Sequence, residues 1–382
     1  MKPRFIAFYL PQFHPTPYND EWWGKGYTEW RSVTTARPLF KGHYQPHVPA
    51  DLGYYDLRLP IIREQQAEMA RNAGIEGFCY WHYWMGDGRR LLEMPFNEVL
   101  NSGSPDFPFC LAWANHDWTN KNWTKQSVFL AERNIIEQKY SIEDYKAHFM
   151  AMLPAFRDPR YITVDGKPLF NVFMPEAIPD PREFIDIWQK LARENGLPGI
   201  YFVGKCQNID LTFGGKTGHF SIPKTDEAAN RYQEILDMGF DAVNSRGYAR
   251  AEFLVRNPWL FACKRFVRKF LRLQSMHRFD YADIIPNLFV EEDKAENVFP
   301  TLIPNWDRSP RVGKDAVIYE NSTPELFKKS IDKVLDIIKD KSEEHQIVFI
   351  QAWNEWGEGN HLEPDLKYGH GYLDAIKSSL LK

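Results

Sequence analysis

The sequence contains few cysteines and no long uninterrupted apolar run. Its 382 residues include four cysteines, none of them in a Cys-x-x-Cys pair, and three lie inside apolar, strand-like runs. This spacing favours buried free thiols over disulfide bonds or zinc ligands at Cys79, Cys110, Cys206 and Cys263. No run approaches the roughly 18 apolar residues of a membrane span, so we expect no membrane-spanning helix.

The N-terminal segment lacks the pattern of a secretory signal peptide. The first three residues lead directly into the apolar run Arg4–Leu10, which Pro11 ends. A signal peptide needs a longer apolar stretch and a cleavage site with small residues. We therefore expect a soluble, cytoplasmic protein.

The charge balance and the glycine pattern leave out two further classes of protein. The net charge is −4, whereas a dedicated nucleic-acid binder normally carries a basic face, so nucleic acid is not an expected partner. No Gly-rich phosphate loop follows an apolar run, and there is no Asp-x-Asp motif. Both absences argue against an enzyme that binds a nucleotide cofactor or a nucleotide-activated donor. No motif implies a cofactor.

Aromatic residues, by contrast, are abundant. They make up 15% of the chain and include 13 tryptophans. Such rings fill a large core, and they also offer flat apolar faces with a polar edge that suit sugar rings. Composition alone does not choose between these two uses.

Short apolar runs rich in β-formers alternate with longer amphipathic stretches. This alternation predicts βαβ units, and eight of them predict an α/β fold: a single (β/α)8 TIM-type barrel over residues 1–382. A doubly wound open sheet is the alternative. The predicted strands are Phe5–Leu10, Gly77–Trp81, Pro108–Trp113, Leu169–Phe173, Ile200–Val203, Asp241–Val243, Thr301–Pro304 and Ile347–Trp353. The predicted helices are Pro60–Asn72, Ile142–Phe156, Pro181–Asn195, Ala228–Met238 and Pro324–Lys339.

Long βα loops are expected at Thr16–Tyr55, Asp117–Tyr140 and Arg246–Phe299. The third includes a basic amphipathic insertion near residues 250–298. Its segment Arg256–Arg278 alternates basic and apolar residues, which fits either an outer barrel helix or a weak contact with an anionic membrane surface.

Polar and aromatic residues collect where the predicted strands end. Barrel active sites are built at the C-terminal ends of the strands, so these side chains are candidates for substrate binding. The candidates are His14, Trp23, Tyr80, His82, Tyr83, Trp113, Asn115, His116, Asp117, Trp118, Trp306, Asp307, Asn354 and Trp356.

Glu355 and Glu358 are the candidate catalytic residues. They lie three residues apart directly after an apolar strand, a spacing that places two side chains on one face of a helical turn. Two carboxyl groups that close cannot ionise equally, so one should keep its proton. Glycoside cleavage needs such a pair, an acid for the leaving oxygen beside a base or nucleophile.

Histidine and aspartate side chains near the same strand ends have two possible uses. His82, His116, Asp117 and Asp307 could bind sugar hydroxyls or ligate a metal ion. No dedicated metal spacing such as His-Glu-x-x-His is present, so no metal site is predicted. For the histidines near Tyr44, His43 and His47, a structural role is the better interpretation.

Several long motifs resemble the WbsX family. They are Ala7–His14, Glu21–Trp30, His43–His47, Gly77–Trp84, Trp306–Arg311, Trp353–Trp356 and His361–Pro364. The resemblance spans nearly the whole chain. It implies a relation to glycoside hydrolase family 99, the endo-α-mannosidases and mannanases with a (β/α)8 fold. WbsX proteins occur among polysaccharide and O-antigen synthesis proteins and are often labelled glycosyltransferases.

The resemblance also implies roles for the two glutamates. Family 99 enzymes carry Asn-Glu-Trp-x-Glu-Gly after the last strand, which corresponds to Asn354–Gly359. Glu358 would be the general acid/base, and Glu355 would take a proton from the sugar 2-hydroxyl, which then attacks the anomeric carbon. The sequence departs from the WbsX pattern after the third strand, at Ala114–Trp118, and after the sixth, at Asn244–Gly247. Both stretches are expected to touch substrate.

Three functions remain open at this stage. The first is a retaining glycoside hydrolase or transglycosylase acting on an α-mannoside-type or related polysaccharide. The alternatives are a glycosyltransferase of lipopolysaccharide O-antigen synthesis and a non-catalytic glycan-binding barrel. In each case the expected partner is an oligosaccharide or polysaccharide, and no oligomeric state is indicated.

Overall fold

Eight parallel strands close into a barrel in the computed structural model, which describes residues 3–119, 134–206, 226–256 and 276–381. Each strand pairs with its successor, and β1 pairs with both β2 and β8. The (β/α)8 barrel is therefore confirmed, and the open sheet is excluded. The strands are β1 (Arg4–Tyr9), β2 (Gly77–Trp84), β3 (Phe109–Trp113), β4 (Lys167–Val172), β5 (Tyr201–Lys205), β6 (Ala242–Ser245), β7 (Val298–Leu302) and β8 (Ile347–Ile350).

Helices follow the strands along the chain. Several begin with a proline, whose fixed φ suits the first helical position, after a side chain that accepts a backbone N–H. Asp180 and Thr323 are examples, accepting from Glu183 and Leu326. The helices are α1 (Pro17–Trp23), α2 (Glu29–Thr34), α3 (Pro60–Ala73), α4 (Met94–Ser102), α5 (Ile142–Phe156), α6 (Pro181–Glu194), α7 (Asp226–Asp237), α8 (Tyr248–Val255), α9 (Tyr281–Ile284), α10 (Ser309–Val312), α11 (Pro324–Ile338) and α12 (Gly371–Leu380).

Short strands in the loops complete the described elements. The pairs are Trp118–Thr119 with Asn134–Ile136, His277–Asp280 with Val317–Glu320, and Asn354–Glu355 with Asn360–His361. Arg90–Leu91 and Thr163–Val164 add to the edges of β2 and β4.

Both faces of the barrel strands are buried, because side chains alternate between the barrel interior and the helix layer. On β1, Phe8 stacks inside the barrel on Trp81 and Phe349, with ring centroids 4.8 and 5.1 Å apart. The next residue, Tyr9, faces outward and donates a hydrogen bond to Gln66 of α3. This alternation decides which residues of a strand can reach the site.

Some boundaries differ from the prediction. β2 continues to Trp84 rather than ending at Trp81, and β8 ends at Ile350 rather than at Trp353. The strand predicted at Thr301–Pro304 is displaced toward the N-terminus, to Val298–Leu302, with Pro300 inside it. The predicted long loops contain short helices and strands of their own.

Most of the basic segment lies outside the described residues, so the predicted membrane-surface contact stays a prediction. Among the described helices, none is both long enough and apolar enough to cross a membrane. The cytoplasmic location and the single domain over 1–382 also stay predictions.

Candidate active site

A cavity of about 330 Å³ lies at the C-terminal ends of the barrel strands. Residues that follow β1, β3, β4, β6, β7 and β8 form its wall together with the end of β2. The lining side chains are Leu10, Trp81, Tyr83, Ala114, His116, Trp118, Phe173, Arg246, Trp306, Arg308, Arg311, Gln351, Glu355 and Glu358.

The two glutamates lie on a short hairpin after β8. Glu355 ends one strand of the hairpin, and a 3-10 turn, Trp356–Glu358, follows directly. Side chains three residues apart eclipse each other along such a turn, so both carboxyl groups reach one cavity. Gly359 closes the turn with a φ of +57°, a conformation that favours glycine.

Arg311 of α10 connects the two glutamates. Its Nη1 atom donates to Glu355 Oε1 at 3.0 Å and to Glu358 Oε1 at 2.9 Å, while its Nε donates to Glu29 Oε1 at 2.7 Å. The two bonds from Nη1 bound the separation of the glutamate oxygens at about 5.9 Å. A glycine at 357 makes room for this contact, because a Cβ atom there would lie 1.5 Å from Glu29 Oε1.

The two carboxyl groups have unequal environments. Burial and the negative charge of Glu358 raise the pKa of Glu355 to about 7, against the opposing effect of Arg311. Burial also disfavours ionisation of Glu358, but Arg308, Arg311 and Arg246 outweigh it and lower its pKa. Of the two, Glu355 therefore holds a proton to the higher pH, the reverse of the order that an acid at Glu358 needs before it reacts.

Aromatic and imidazole side chains form the remaining wall. Trp118 packs edge-on against Tyr83 at 5.4 Å and contacts Trp23 at 5.9 Å. Among the described residues, His116 Nδ1 and Trp306 Nε1 are buried without a hydrogen-bond partner. Burial lowers the pKa of His116 to about 4, so its ring is neutral at pH 7.

Six of the predicted site residues line the cavity. The catalytic candidates Glu355 and Glu358 are among them, and Trp23 lies behind the wall through its contact with Trp118. The substrate-binding candidates that line it are Tyr83, His116, Trp118 and Trp306.

Three candidates face the helix layer instead, contrary to the expectation. Tyr80 packs on Tyr9 and on Phe96 of α4. His82 shares a hydrogen bond of 2.8 Å with His148 of α5, and Trp113 donates to the Trp84 carbonyl. Their strand positions point away from the barrel interior.

Three further candidates bind the protein's own chain. Asn115 exchanges hydrogen bonds with the backbone of Met174, and Asn354 does the same with the backbone of Leu10. Asp117 accepts from the Gln138 backbone and the Asn134 side chain. Each joins a strand end to a neighbouring loop rather than facing the cavity.

The last three candidates are buried away from the cavity. His14 bonds to the Pro11 carbonyl, and Trp356 stacks on His361 with centroids 3.7 Å apart. Asp307 accepts from His43 and Gln45 and lines a second, smaller cavity.

The sequence reasoning missed several lining residues, and the most important are cationic. Arg308 and Arg311 lie within the Trp306–Arg311 motif, and Arg246 lies in the stretch expected to touch substrate, but none was selected. Lys205 is also buried behind the wall, with Nζ 3.9 Å from the Phe8 ring centroid and 3.5 Å from Gln351 Oε1. Burial holds the pKa of Lys205 well below its ordinary value.

Comparison with known proteins shows which family the chain belongs to. The profile described as glycosyltransferase WbsX matches residues 5–376. The chain belongs to the WbsX family. The protein WxcX of Xanthomonas campestris pv. campestris strain B100 is 33% identical over 381 residues, and so is WxcX of strain ATCC 33913. The match covers 99% of this chain but 49% of WxcX, so this WbsX chain spans about half the length of those relatives.

Solved structures share the fold at low identity. A GH99 endo-alpha-mannosidase from Bacteroides thetaiotaomicron, in complex with bis-tris propane, matches 99% of this chain and 96% of its own with a TM-score of 0.55 and 14% identity. A glycoside hydrolase-like protein matches 99% of this chain and 94% of its own with a TM-score of 0.58 and 14% identity. The WbsX chain therefore has the fold of these proteins.

Proposed function

We propose that this WbsX chain is a retaining glycoside hydrolase or transglycosylase that uses Glu355 and Glu358. The observation that carries the proposal is that both carboxyl groups line one cavity and accept from the same Arg311 nitrogen, at 3.0 and 2.9 Å. Glycoside cleavage needs such a pair, an acid for the leaving oxygen beside a base or nucleophile.

The cavity wall and one structural neighbour support the substrate class that we propose. Aromatic faces suit pyranose rings, and the structural neighbour from Bacteroides thetaiotaomicron is an endo-alpha-mannosidase. We propose an internal bond of an α-mannoside-type or related polysaccharide as the substrate. A place in O-antigen metabolism is proposed from the family resemblance.

The division of labour between the glutamates has two versions. The family resemblance assigns the leaving-group proton to Glu358 and activation of the 2-hydroxyl to Glu355. The order of the two pKa values favours the opposite assignment, with the proton on Glu355. We adopt for testing the version that the family resemblance implies.

One observation favours the glycosyltransferase alternative. Arg246 and Arg308 line the cavity beside Arg311, and guanidinium groups bind phosphate well. A nucleotide-sugar or lipid pyrophosphate donor would supply such a phosphate. In that case the enzyme should transfer sugar from the phosphorylated donor and should leave aryl glycosides intact.

The test compares Glu358→Gln and Glu355→Gln on aryl glycosides with good and poor leaving groups. Loss of a general acid should lower the rate about 10²–10⁴-fold for a poor leaving group and far less for a good one. We expect this pattern for Glu358→Gln and inactivity on both substrates for Glu355→Gln. Glu363→Gln is the matched control, because Glu363 is buried on the same segment but faces Tyr55, Gln66 and Trp356.

Substrate variants test the role of the 2-hydroxyl. A 2-deoxy or 2-O-methyl substrate should be inert with the wild-type enzyme, and normal cleavage would mean that a glutamate attacks carbon directly. If Glu355→Gln were affected only on the poor leaving group and Glu358→Gln were inactive on both substrates, the two glutamates would have the opposite roles. Full activity of both variants would refute the site.

A further inference from the structure

A second cavity, of about 220 Å³, lies between the loops that follow β1, β7 and β8. Trp306 lines both this cavity and the larger one. His47 and Asp365 belong to its wall, and His361 lies directly behind it. One ligand atom from each of these three residues lies within 4.8 Å of the other two.

His361 is held with one ring nitrogen directed at the other two residues. Its Nδ1 atom lies 3.0 Å from the Glu363 carbonyl oxygen, which accepts only an N–H, so Nε2 carries the lone pair. Its ring stacks on Trp356 with centroids 3.7 Å apart. A histidine that ligates a metal ion is commonly fixed in this way, with its other nitrogen bonded to a carbonyl.

His47 and Asp365 approach that lone pair from two sides. His47 Nδ1 lies 3.0 Å from His361 Nε2, and Asp365 Oδ2 lies 3.9 Å from it. Asp365 Oδ1 is occupied by the N–H groups of Lys367 and Tyr368, which leaves Oδ2 for another partner. Ligand atoms around a tetrahedral ion with bonds of about 2.0–2.1 Å lie roughly 3.3 Å apart, close to this arrangement.

We propose that His47, His361 and Asp365 bind a divalent transition-metal ion of the zinc type. Two imidazoles and one carboxylate are ligands that zinc accepts, and a fourth position can open toward the 220 Å³ cavity.

The site would fasten the catalytic hairpin to the loop after β1. His361 pairs with Asn354 across the hairpin, and the next pair along it is Glu355 with Asn360. His47 comes from the loop after β1, more than 300 residues away in sequence. Asp307 adds a second carboxylate to the wall of the cavity.

The experiment uses the full chain without an affinity tag. Metal content is measured by mass spectrometry after purification, and the chelator-treated protein is then titrated with Zn²⁺ and Co²⁺. We expect one tight equivalent, a tetrahedral Co²⁺ absorption spectrum that Zn²⁺ displaces, and a rise in melting temperature on Zn²⁺ binding.

Two variants and a control make the assignment specific. His47→Ala should abolish the tight equivalent, and Asp365→Asn should weaken it at least 10-fold while its amide oxygen keeps the backbone bonds. His370→Ala is the control, since His370 forms a comparable pair with Asp51 at an exposed position. An equally tight equivalent in His47→Ala, or none in the wild type, would overturn the proposal and leave a simple His47–His361 hydrogen bond. Neither outcome depends on glycosidase activity.

Discussion

Arg311 donates hydrogen bonds to three carboxyl groups, which makes it the most consequential single side chain of the site. It is buried and paired with Glu29, Glu355 and Glu358. Removing one partner of a buried ion pair costs about 3–5 kcal/mol because the remaining charge is uncompensated. We expect Arg311→Met to lose stability of this order at pH 8 and less at pH 5, where the carboxyl groups can take up protons.

Urea denaturation at the two pH values measures the effect. Arg308→Met is the control, because the Arg308 side chain is 39% exposed and pairs with Glu358 alone among the salt bridges described. Its loss should stay near 1 kcal/mol or below. Equal losses at both pH values in Arg311→Met would contradict the argument.

Glu355 should make the protein less stable as the pH rises. Its pKa is raised to about 7, so the folded state holds the proton more tightly than the unfolded state does. The resulting stability is fully present below the unfolded pKa of about 4.3 and is lost as the pH rises to about 7. Glu355→Gln cannot ionise, so its stability relative to the wild type should increase between pH 5 and 8, by at most about 3 kcal/mol.

Glu358→Gln is the comparison variant, and its stability relative to the wild type should change with pH in the opposite direction. The pKa of Glu358 is lowered by its arginines despite burial, so its stabilising effect is present above the unfolded pKa and disappears on acidification. The two difference curves should therefore diverge with pH. Parallel curves from urea denaturation would mean that the two carboxyl groups share one environment.

At the scale of the element, the hairpin after β8 needs glycine at position 357 because the Glu29 and Arg311 side chains lie close to it, and not because of a special backbone conformation. A Cβ atom there would lie 1.5 Å from Glu29 Oε1 and 3.0 Å from Arg311 Nε. Overpacking of this kind typically costs about 1–3 kcal/mol, and here it would also separate Arg311 from its partners. We expect Gly357→Ala to lose about 3 kcal/mol of stability and most of the activity.

Gly42→Ala separates steric from backbone effects. Gly42 has a φ of +85°, but nothing lies within 4 Å of a Cβ atom at that position. Its substitution should cost about 1–2 kcal/mol through strain alone and leave activity unchanged. Thermal unfolding and a glycoside assay on both variants would distinguish the two, and a smaller effect of Gly357→Ala than of Gly42→Ala would contradict the packing argument.

The strands also show where sequence reasoning stops. On β2, Trp81 and Tyr83 reach the cavity, while Tyr80 and His82 face the helices. All eight residues of β2 are buried, so hydrophobic alternation gave no sign of which set faced inward. The sequence correctly predicted that the C-terminal end of β2 lies at the mouth of the barrel. Which of its side chains face the cavity could be read only from the structure.

Two asparagines illustrate a second limit. Asn115 and Asn354 were predicted to bind substrate because they follow strands at the catalytic face. Each instead spans a backbone N–H and carbonyl of a neighbouring loop with its amide group. A polar residue in such a position has either use, and sequence position alone cannot distinguish them.

At the scale of the whole molecule, the order of strands and the location of the glutamates were predictable because both depend on local pattern. Eight apolar runs and one Asn-Glu-Trp-x-Glu segment were sufficient. Arg311, which joins Glu29 to Glu355, depends on contacts between residues 282 and 44 positions apart. In the group of His47, His361 and Asp365, the contact between His47 and His361 likewise joins residues 314 positions apart, so no recognisable metal spacing is present in the sequence.

The closed barrel should unfold as one cooperative unit. β1 lies between β2 and β8, so the first and last strands of the chain depend on each other, and the buried core includes residues of all eight strands. Loss of either end would expose apolar surface on both neighbours, and no part of the barrel keeps a closed core without the rest.

We expect far-ultraviolet and near-ultraviolet circular dichroism to report one coincident transition in urea, since the tryptophans are distributed around the barrel. Hydrogen exchange in β1 and β8 should then require the same free energy of opening as exchange in β4. A lower value in β1 and β8, or a near-ultraviolet transition at lower urea concentration, would show that the ends open separately and that residues 1–382 do not form a single folding unit.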